Sequence, residues 1–154
     1  MSSLHPPGTS ACDLAAYLHE KIPLTRAMGL RVAGTGARLV LEAPLDANIN
    51  HLGTAFGGSL HALPTLACYA VLWTLLNEAG ITCHVVIKHS SANYLQPVKG
   101  LLRAVCVRPS PESTAGFIDN LRRSKKARMT LAAIVQGEND KPAVEFSGLF
   151  VAVL

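Results

Sequence analysis

Apolar residues recur at Leu14, Leu18 and Ile22, about one per helical turn, behind a capping-type start at Ser10 and Asp13, and Pro23 ends the run. The spacing predicts a short first helix. From Leu30 to Ala43, two runs rich in Val and Leu flank Gly34-Thr35-Gly36, which reads as a tight hairpin. The polar positions then thin out: Leu52 to Asn77 holds no formally charged residue, and the pattern predicts one long helix from about Gly57 to Ala79, stopped at Gly80. Pro64 lies inside it, removes a backbone donor and is expected to kink it near Leu60. Beyond Gly80 the periodicity changes to that of strands, at His84 to Leu95 and Leu101 to Arg108, divided by the turn Gln96-Pro97-Val98-Lys99-Gly100. Ser110 and Pro111 start another helix with the single apolar stripe Phe117, Ile118 and Leu121. Two strands close the chain: Met129, Leu131, Ala133 and Val135 alternate with polar residues, and Gly137-Glu138-Asn139-Asp140 turns into Ala143 to Leu154.

The expected fold is α+β, about six antiparallel strands wrapped around one long apolar helix, with two peripheral helices. With 154 residues, the chain suits one domain, expected over 11–154 behind a flexible arm at 1–10. Hydrophobic residues make up 49% and charged residues 16%, which excludes disorder and leaves a surface lean in charge. Mean hydropathy of +0.30 raises the question of a membrane span at Leu52 to Asn77. Glycines, His61 and Pro64 dilute its first half, and the flanking strands need one another, so a core helix is expected and no membrane. The low charge is then what a dimer with hidden apolar surface requires. Net charge is +4, too small to imply nucleic acid. Cys12, Cys68, Cys83 and Cys106 form no C-x-x-C pair, and free thiols in apolar context point to a reducing, cytoplasmic setting. The histidines have no H-x-x-x-H spacing, and His84 and His89 are expected to face opposite sides of one strand, so no metal is expected.

The most informative segment is Asn48-Ile49-Asn50-His51-Leu52-Gly53-Thr54-Ala55-Phe56-Gly57-Gly58-Ser59-Leu60, a polar loop of small residues running into the most apolar helix. The first N–H groups of a helix lack internal partners and carry the positive end of its dipole, so Gly57 and Gly58 are candidates to stabilise an oxyanion. Equally, two glycines are an easy way to turn before a helix. A phosphate loop is excluded because no Lys follows the glycines, and Gly57-Gly58-Ser59-Leu60-His61 is not a serine-hydrolase elbow. Cys68 lies two turns after His61 and reads as inert packing. Arg122-Arg123-Ser124-Lys125-Lys126-Ala127-Arg128 concentrates five of the fourteen basic residues, either as a solvated helix end or as a docking patch for phosphate groups.

The order Asn50-His51-x-Gly53-Thr54-Ala55-Phe56-Gly57-Gly58-Ser59-Leu60, a long apolar helix, then Tyr94-Leu95-Gln96-Pro97-Val98-Lys99-Gly100, resembles the hotdog-fold acyl thioesterases. It is most similar to the thioesterase-like domain of the YiiD C-terminal type, as is Leu18-His19-Glu20-Lys21-Ile22-Pro23-Leu24-Thr25-Arg26-Ala27-Met28-Gly29. The resemblance implies a homodimer or tetramer with an acyl-thioester site at the subunit interface and acyl-CoA or an acyl-carrier protein as partner. It also implies that Asn50 orients water or the thioester and that the backbone of Gly57 and Gly58 polarises the carbonyl. No cofactor is expected beyond a CoA thioester as substrate or ligand. Acyl-CoA thioesterases of the PaaI type carry H-G-G followed by an acid nine residues after that His, whereas this chain has Phe56 and Thr65 at those positions. A threonine hydroxyl is no base near neutral pH, so His51 is the substitute candidate, then Thr65 through a water, with Asp46 more distant. Phe56, Ser59, His61, Tyr94, Arg122 and Arg123 are the expected substrate contacts. The leading expectation is an acyl-thioester hydrolase, and the alternative is a non-hydrolytic acyl-thioester binding module.

Overall fold

The computed structural model describes residues 10–154, so the arm expected at 1–10 lies outside the described residues except for Ser10. Helix α1 (Ala11–Lys21) starts as its sequence indicates, with the Asp13 N–H donating to Ser10 Oγ at 3.1 Å, and buries Leu14 and Leu18 completely. Pro23 ends that run but also caps a four-residue helix, α2 (Leu24–Ala27), which the periodicity did not signal. Strands β1 (Arg31–Thr35) and β2 (Arg38–Ala43) form the expected hairpin, with its turn at Gly36-Ala37 instead of around Thr35. The reason is a bulge between Val32 and Gly34, which adds a residue to β1 and draws Gly34 into the ladder opposite Val40.

Helix α3 (Gly57–Glu78) follows a loop that opens with a 3-10 turn at Asp46–Asn48, and it runs unbroken through Pro64. Next come β3 (His84–Tyr94), β4 (Leu102–Val107), α4 (Pro111–Ser124), β5 (Lys126–Gln136) and β6 (Pro142–Val153). Ser110 caps α4, accepting the Ser113 N–H at 3.1 Å, and Phe117, Ile118 and Leu121 are its buried stripe.

The six strands make one curved antiparallel sheet in the order β1-β2-β4-β5-β6-β3, around α3. Leu63, Ala67, Cys68, Ala70 and Leu72 of α3 have no exposed surface, and they meet Leu39 and Leu41 of β2, Cys106 of β4 and Phe146 and Phe150 of β6 in one core. By length and composition α3 would cross a membrane, yet 67% of its most apolar window is buried within the fold, which accounts for its apolar circumference. One row of α3 is left half-exposed, at the four-residue spacing His61, Thr65, Tyr69 and Trp73.

That row borders β3, which forms one edge of the sheet and pairs only with β6. A bulge between Ile87 and His89 shifts the pleat of β3, so His84 and His89 oppose Val153 and Leu149 on one face, contrary to the alternation of an unbroken strand. Four rungs of ladder still hold them about 13 Å apart. Among the described residues no group of three or more His, Cys, Asp or Glu is placed to hold a metal.

Candidate functional site

The loop ahead of α3 is folded by two asparagines. Asn48 is buried, and its Nδ2 donates to the carbonyls of Met28 at 2.9 Å and Pro44 at 2.8 Å, tying the loop to the turn before β1 and to the end of β2. Its own carbonyl accepts the Phe56 N–H at 2.7 Å, which fixes where the chain enters the helix. Asn50 works within the loop: its Oδ1 accepts the N–H groups of Leu52 at 2.8 Å and Thr54 at 3.1 Å, and its Nδ2 donates to Thr54 Oγ1 at 2.9 Å and the Ala55 carbonyl at 3.3 Å. Both lone pairs and both protons of the amide are thereby engaged, and the turn they close requires Gly53 at a φ of +79°. Ala55 N–H donates to the Val98 carbonyl at 2.8 Å, joining the loop to the Pro97-Val98 turn.

This frame presents the first turn of α3 with no side-chain cap, Phe56 being at the capping position. The leading N–H groups of the helix therefore face outward as donors, and a 22-residue helix lends them the positive end of its dipole. Gly57 has open space where a β-carbon would stand, whereas a β-carbon on Gly58 would overlap the Phe56 ring. The Phe56 ring thus lies against Gly58, and it is 55% exposed. Tyr94, at the end of β3, donates its hydroxyl to the Gly57 carbonyl at 3.3 Å, bringing strand and helix start together. Ser59 is half-buried one residue further on.

One turn deeper, His61 Nε2 is 3.1 Å from Ser90 Oγ on β3, and the imidazole and the Phe146 ring are T-shaped to each other, 5.3 Å between centroids and 87° between planes. Thr65 donates its hydroxyl to the His61 carbonyl at 2.8 Å, so its proton is spent on the helix. His51 is exposed in the loop with no hydrogen-bond partner among the described residues, and Asp46 holds the Ala47 N–H at 2.9 Å in its own turn. Cys68 is sealed in the core, where the neighbouring Cys106 and burial push its thiol far above the ordinary range, as its inert reading anticipates.

Asn50, Phe56, Gly57, Gly58, Ser59, His61 and Tyr94 are therefore brought to one end of α3. Arg122 and Arg123 are not: Arg122 donates to the Ala79 carbonyl at 3.3 Å, beyond the opposite end of the helix, and Arg123 to Asn120 Oδ1 at 2.6 Å. At 1.5 Å per residue the 22 residues of α3 put about 33 Å between the two places. Ser90 escapes a reading of the sequence because it lies 29 residues from His61 in a stretch of small polar residues, and only the packing of β3 against α3 brings the two together.

A family model described as "Putative thioesterase (yiiD_Cterm)" matches residues 11–154. Among solved structures, a protein of unknown function from Chlorobaculum tepidum is 33% identical, with 93% of each chain covered and a TM-score of 0.90. A structure titled as a putative thioesterase from Shewanella oneidensis is 26% identical over 94% of this chain and 97% of its own, with a TM-score of 0.84. A thioesterase from Pseudomonas aeruginosa, solved as a mutant form, shares the fold at 17% identity over 98% of this chain and 99% of its own, with a TM-score of 0.70.

Proposed function

The chain belongs to the YiiD C-terminal family of hotdog-fold, thioesterase-like proteins, and we propose that it hydrolyses acyl thioesters, with the thioester carbonyl lodged against the N–H groups of Gly57 and Gly58. The observation that carries this reading is the uncapped first turn of α3, held in place by Asn48 and Asn50 and left open above Gly57. Donors fixed at the position where negative charge develops stabilise the tetrahedral state without reorganising, which is the largest single source of catalysis in acyl transfer. Asn50 acts here by shaping the loop, since its amide has no free valence for water. Phe56, Ser59 and Tyr94 stand beside that first turn and are the substrate contacts of this reading.

The site is shared across a homodimer in this reading. The half-exposed row of α3 and the open edge of β3 leave one side of the site uncovered, and a second copy supplies that wall. Arg122 and Arg123, about 33 Å from Gly57 along α3, would meet the phosphates of an acyl-CoA bound at the partner's site. Neither His51, which no partner among the described residues orients, nor Thr65, whose hydroxyl is not basic, supplies a convincing proton acceptor.

Incubation of the pure protein with acyl-CoA esters of graded chain length should release thiol above an inert control. A second reading, a non-hydrolytic acyl-thioester binder, draws on the absence of any Asp or Glu in α3 before Glu78. A non-hydrolysable CoA thioether that binds in calorimetric titration, with thiol release at background for every ester, would select that second reading and overturn the first.

A further inference from the structure

We infer that Ser90 and His61 are a nucleophile and its base, Ser90 Oγ taking the acyl group from the thioester while His61 carries the proton; this rests on the hydrolase reading and supplies the step it lacks. A thioester hydrolase needs a group to activate its nucleophile, and α3 carries no carboxylate over its first 21 residues. A serine within hydrogen-bond reach of an oriented imidazole is the arrangement that activates a hydroxyl near neutral pH.

The chain contains its own comparison. His19 Nδ1 lies 3.0 Å from Thr25 Oγ1, but that threonine is fully buried and its hydroxyl already donates to the Ile22 carbonyl at 2.8 Å, so the imidazole can only donate to it. That pair is structural. Ser90 Oγ has no other partner among the described residues, so its proton is free to point at His61 Nε2, and both residues are half-buried rather than sealed. The Phe146 ring packs T-shaped with the imidazole, at 87° between planes. Opposite Ser90 in the ladder stands Gly148, where a β-carbon would come within 2.8 Å of the Phe150 ring and 3.1 Å of the Phe146 ring, so the glycine lets that aromatic support close under the pair.

Placement relative to the oxyanion donors also fits. His61 follows Gly57 by four residues on the same helix face, about 6 Å along the axis, and helical side chains lean towards the N-terminus, here towards Gly57 and Gly58. The Tyr94 contact to Gly57 ties the strand bearing Ser90 to the same helix start.

In the first half-reaction Ser90 Oγ bonds to the thioester carbon and its proton passes to His61 Nε2. The carbonyl electron pair moves to the oxygen held by the Gly57 and Gly58 N–H groups. Collapse breaks the carbon–sulfur bond, and the imidazolium returns its proton to the leaving sulfur, giving the free thiol. Water then attacks the acyl-serine, gives a proton to His61, and Ser90 Oγ departs and recovers it, releasing the carboxylic acid.

The test combines rapid quenching of the wild-type protein with an acyl-CoA ester, peptide mass spectrometry, and labelling with a fluorophosphonate, which reacts with activated serines without any thioester. We expect an acyl adduct and a phosphonyl adduct on Ser90, both lost in Ser90→Ala and His61→Ala, and thiol release lowered about 100-fold or more in each. Ser90→Cys should keep an acyl adduct at position 90. Thiol release by a folded Ser90→Ala within about threefold of wild type, or adducts on another residue, would overturn the pair while leaving the hydrolase reading intact. Absence of thiol release from every ester would remove the hydrolase reading, and phosphonylation at Ser90 would still show an activated serine. Absence of both would remove the two together.

Discussion

Gly57 and Gly58 are adjacent and chemically identical, yet the structure gives them different jobs. Gly57 has room for a side chain, and its N–H would survive the change to alanine. Gly58 supports the Phe56 ring, which a β-carbon would have to displace. Because that ring is half in solvent, the displacement is cheap for the fold, but it changes what stands over the leading N–H groups of α3. Gly57→Ala should therefore leave the fold neutral or stabilised by about 0.5–1 kcal/mol, as alanine is the better helix former. Gly58→Ala should melt within a few degrees of wild type and release thiol about tenfold more slowly, a loss expected from a small misplacement of substrate. Wild-type thiol release by Gly58→Ala would show that the Phe56–Gly58 contact has no part in the site. Sequence spacing weighted oxyanion donors and a plain tight turn evenly for these glycines; the ring contact that distinguishes Gly58 from Gly57 depends on the Phe56 rotamer, which spacing does not encode.

Among the elements, those governed by local chemistry were legible and those governed by pairing were not. Ser10 and Ser110 cap their helices as their side chains dictate, and Gly80, at a φ of +70°, ends α3 where its sequence said it would. The bulges in β1 and β3 depend on partner strands, so the hairpin turn and the facing of His89 were misplaced by one or two residues. The same holds for Glu42, whose role appears only with its neighbours in place: in register across β1, β2 and β4, it accepts from Arg31 and Arg103, each at 2.6 Å. The Arg31 hydrogen bond, aided by Arg103, holds the Glu42 carboxyl below its usual range against the opposing effect of burial. A depressed carboxylate pKa gives stability that is present above the unfolded value, near 4.5, and is lost as pH falls through the folded value. Glu42→Gln should thus cost about 1 kcal/mol at pH 7, a small figure because both arginines can return to water. The difference in urea midpoint between wild type and Glu42→Gln should shrink as pH drops below 4.5. A difference that stays constant with pH would mean that the cross-strand pairing contributes nothing through charge.

At the scale of the whole molecule, the two edges of the sheet are unlike. Strand β1 is five residues long, bulged, and carries the exposed Arg31, the usual means of blunting an edge. Strand β3 is eleven residues long and exposes Val86 at 56% and Ile87 at 42%, next to the half-exposed row of α3 that includes Tyr69 and Trp73. The proposed dimer would pair along this edge, where Val86 and Ile87 stand beside the half-exposed helix row, and only 16% of the residues are charged to oppose association. A second copy paired along β3 would cover the edge and lay its own loop against the row containing Thr65, closing the site over His61 and Ser90. Sedimentation at about 10 μM should accordingly give a dimer or a multiple of one, since interfaces that bury about 800 Å² per partner hold at such concentrations. Placing charge on the edge, as in the double variant Val86→Asp and Ile87→Asp, should yield monomers and lower thiol release with them. A wild-type chain that sediments as a monomer and still releases thiol would show that one copy suffices, and the β3 edge would then need another partner to explain its exposed valine and isoleucine.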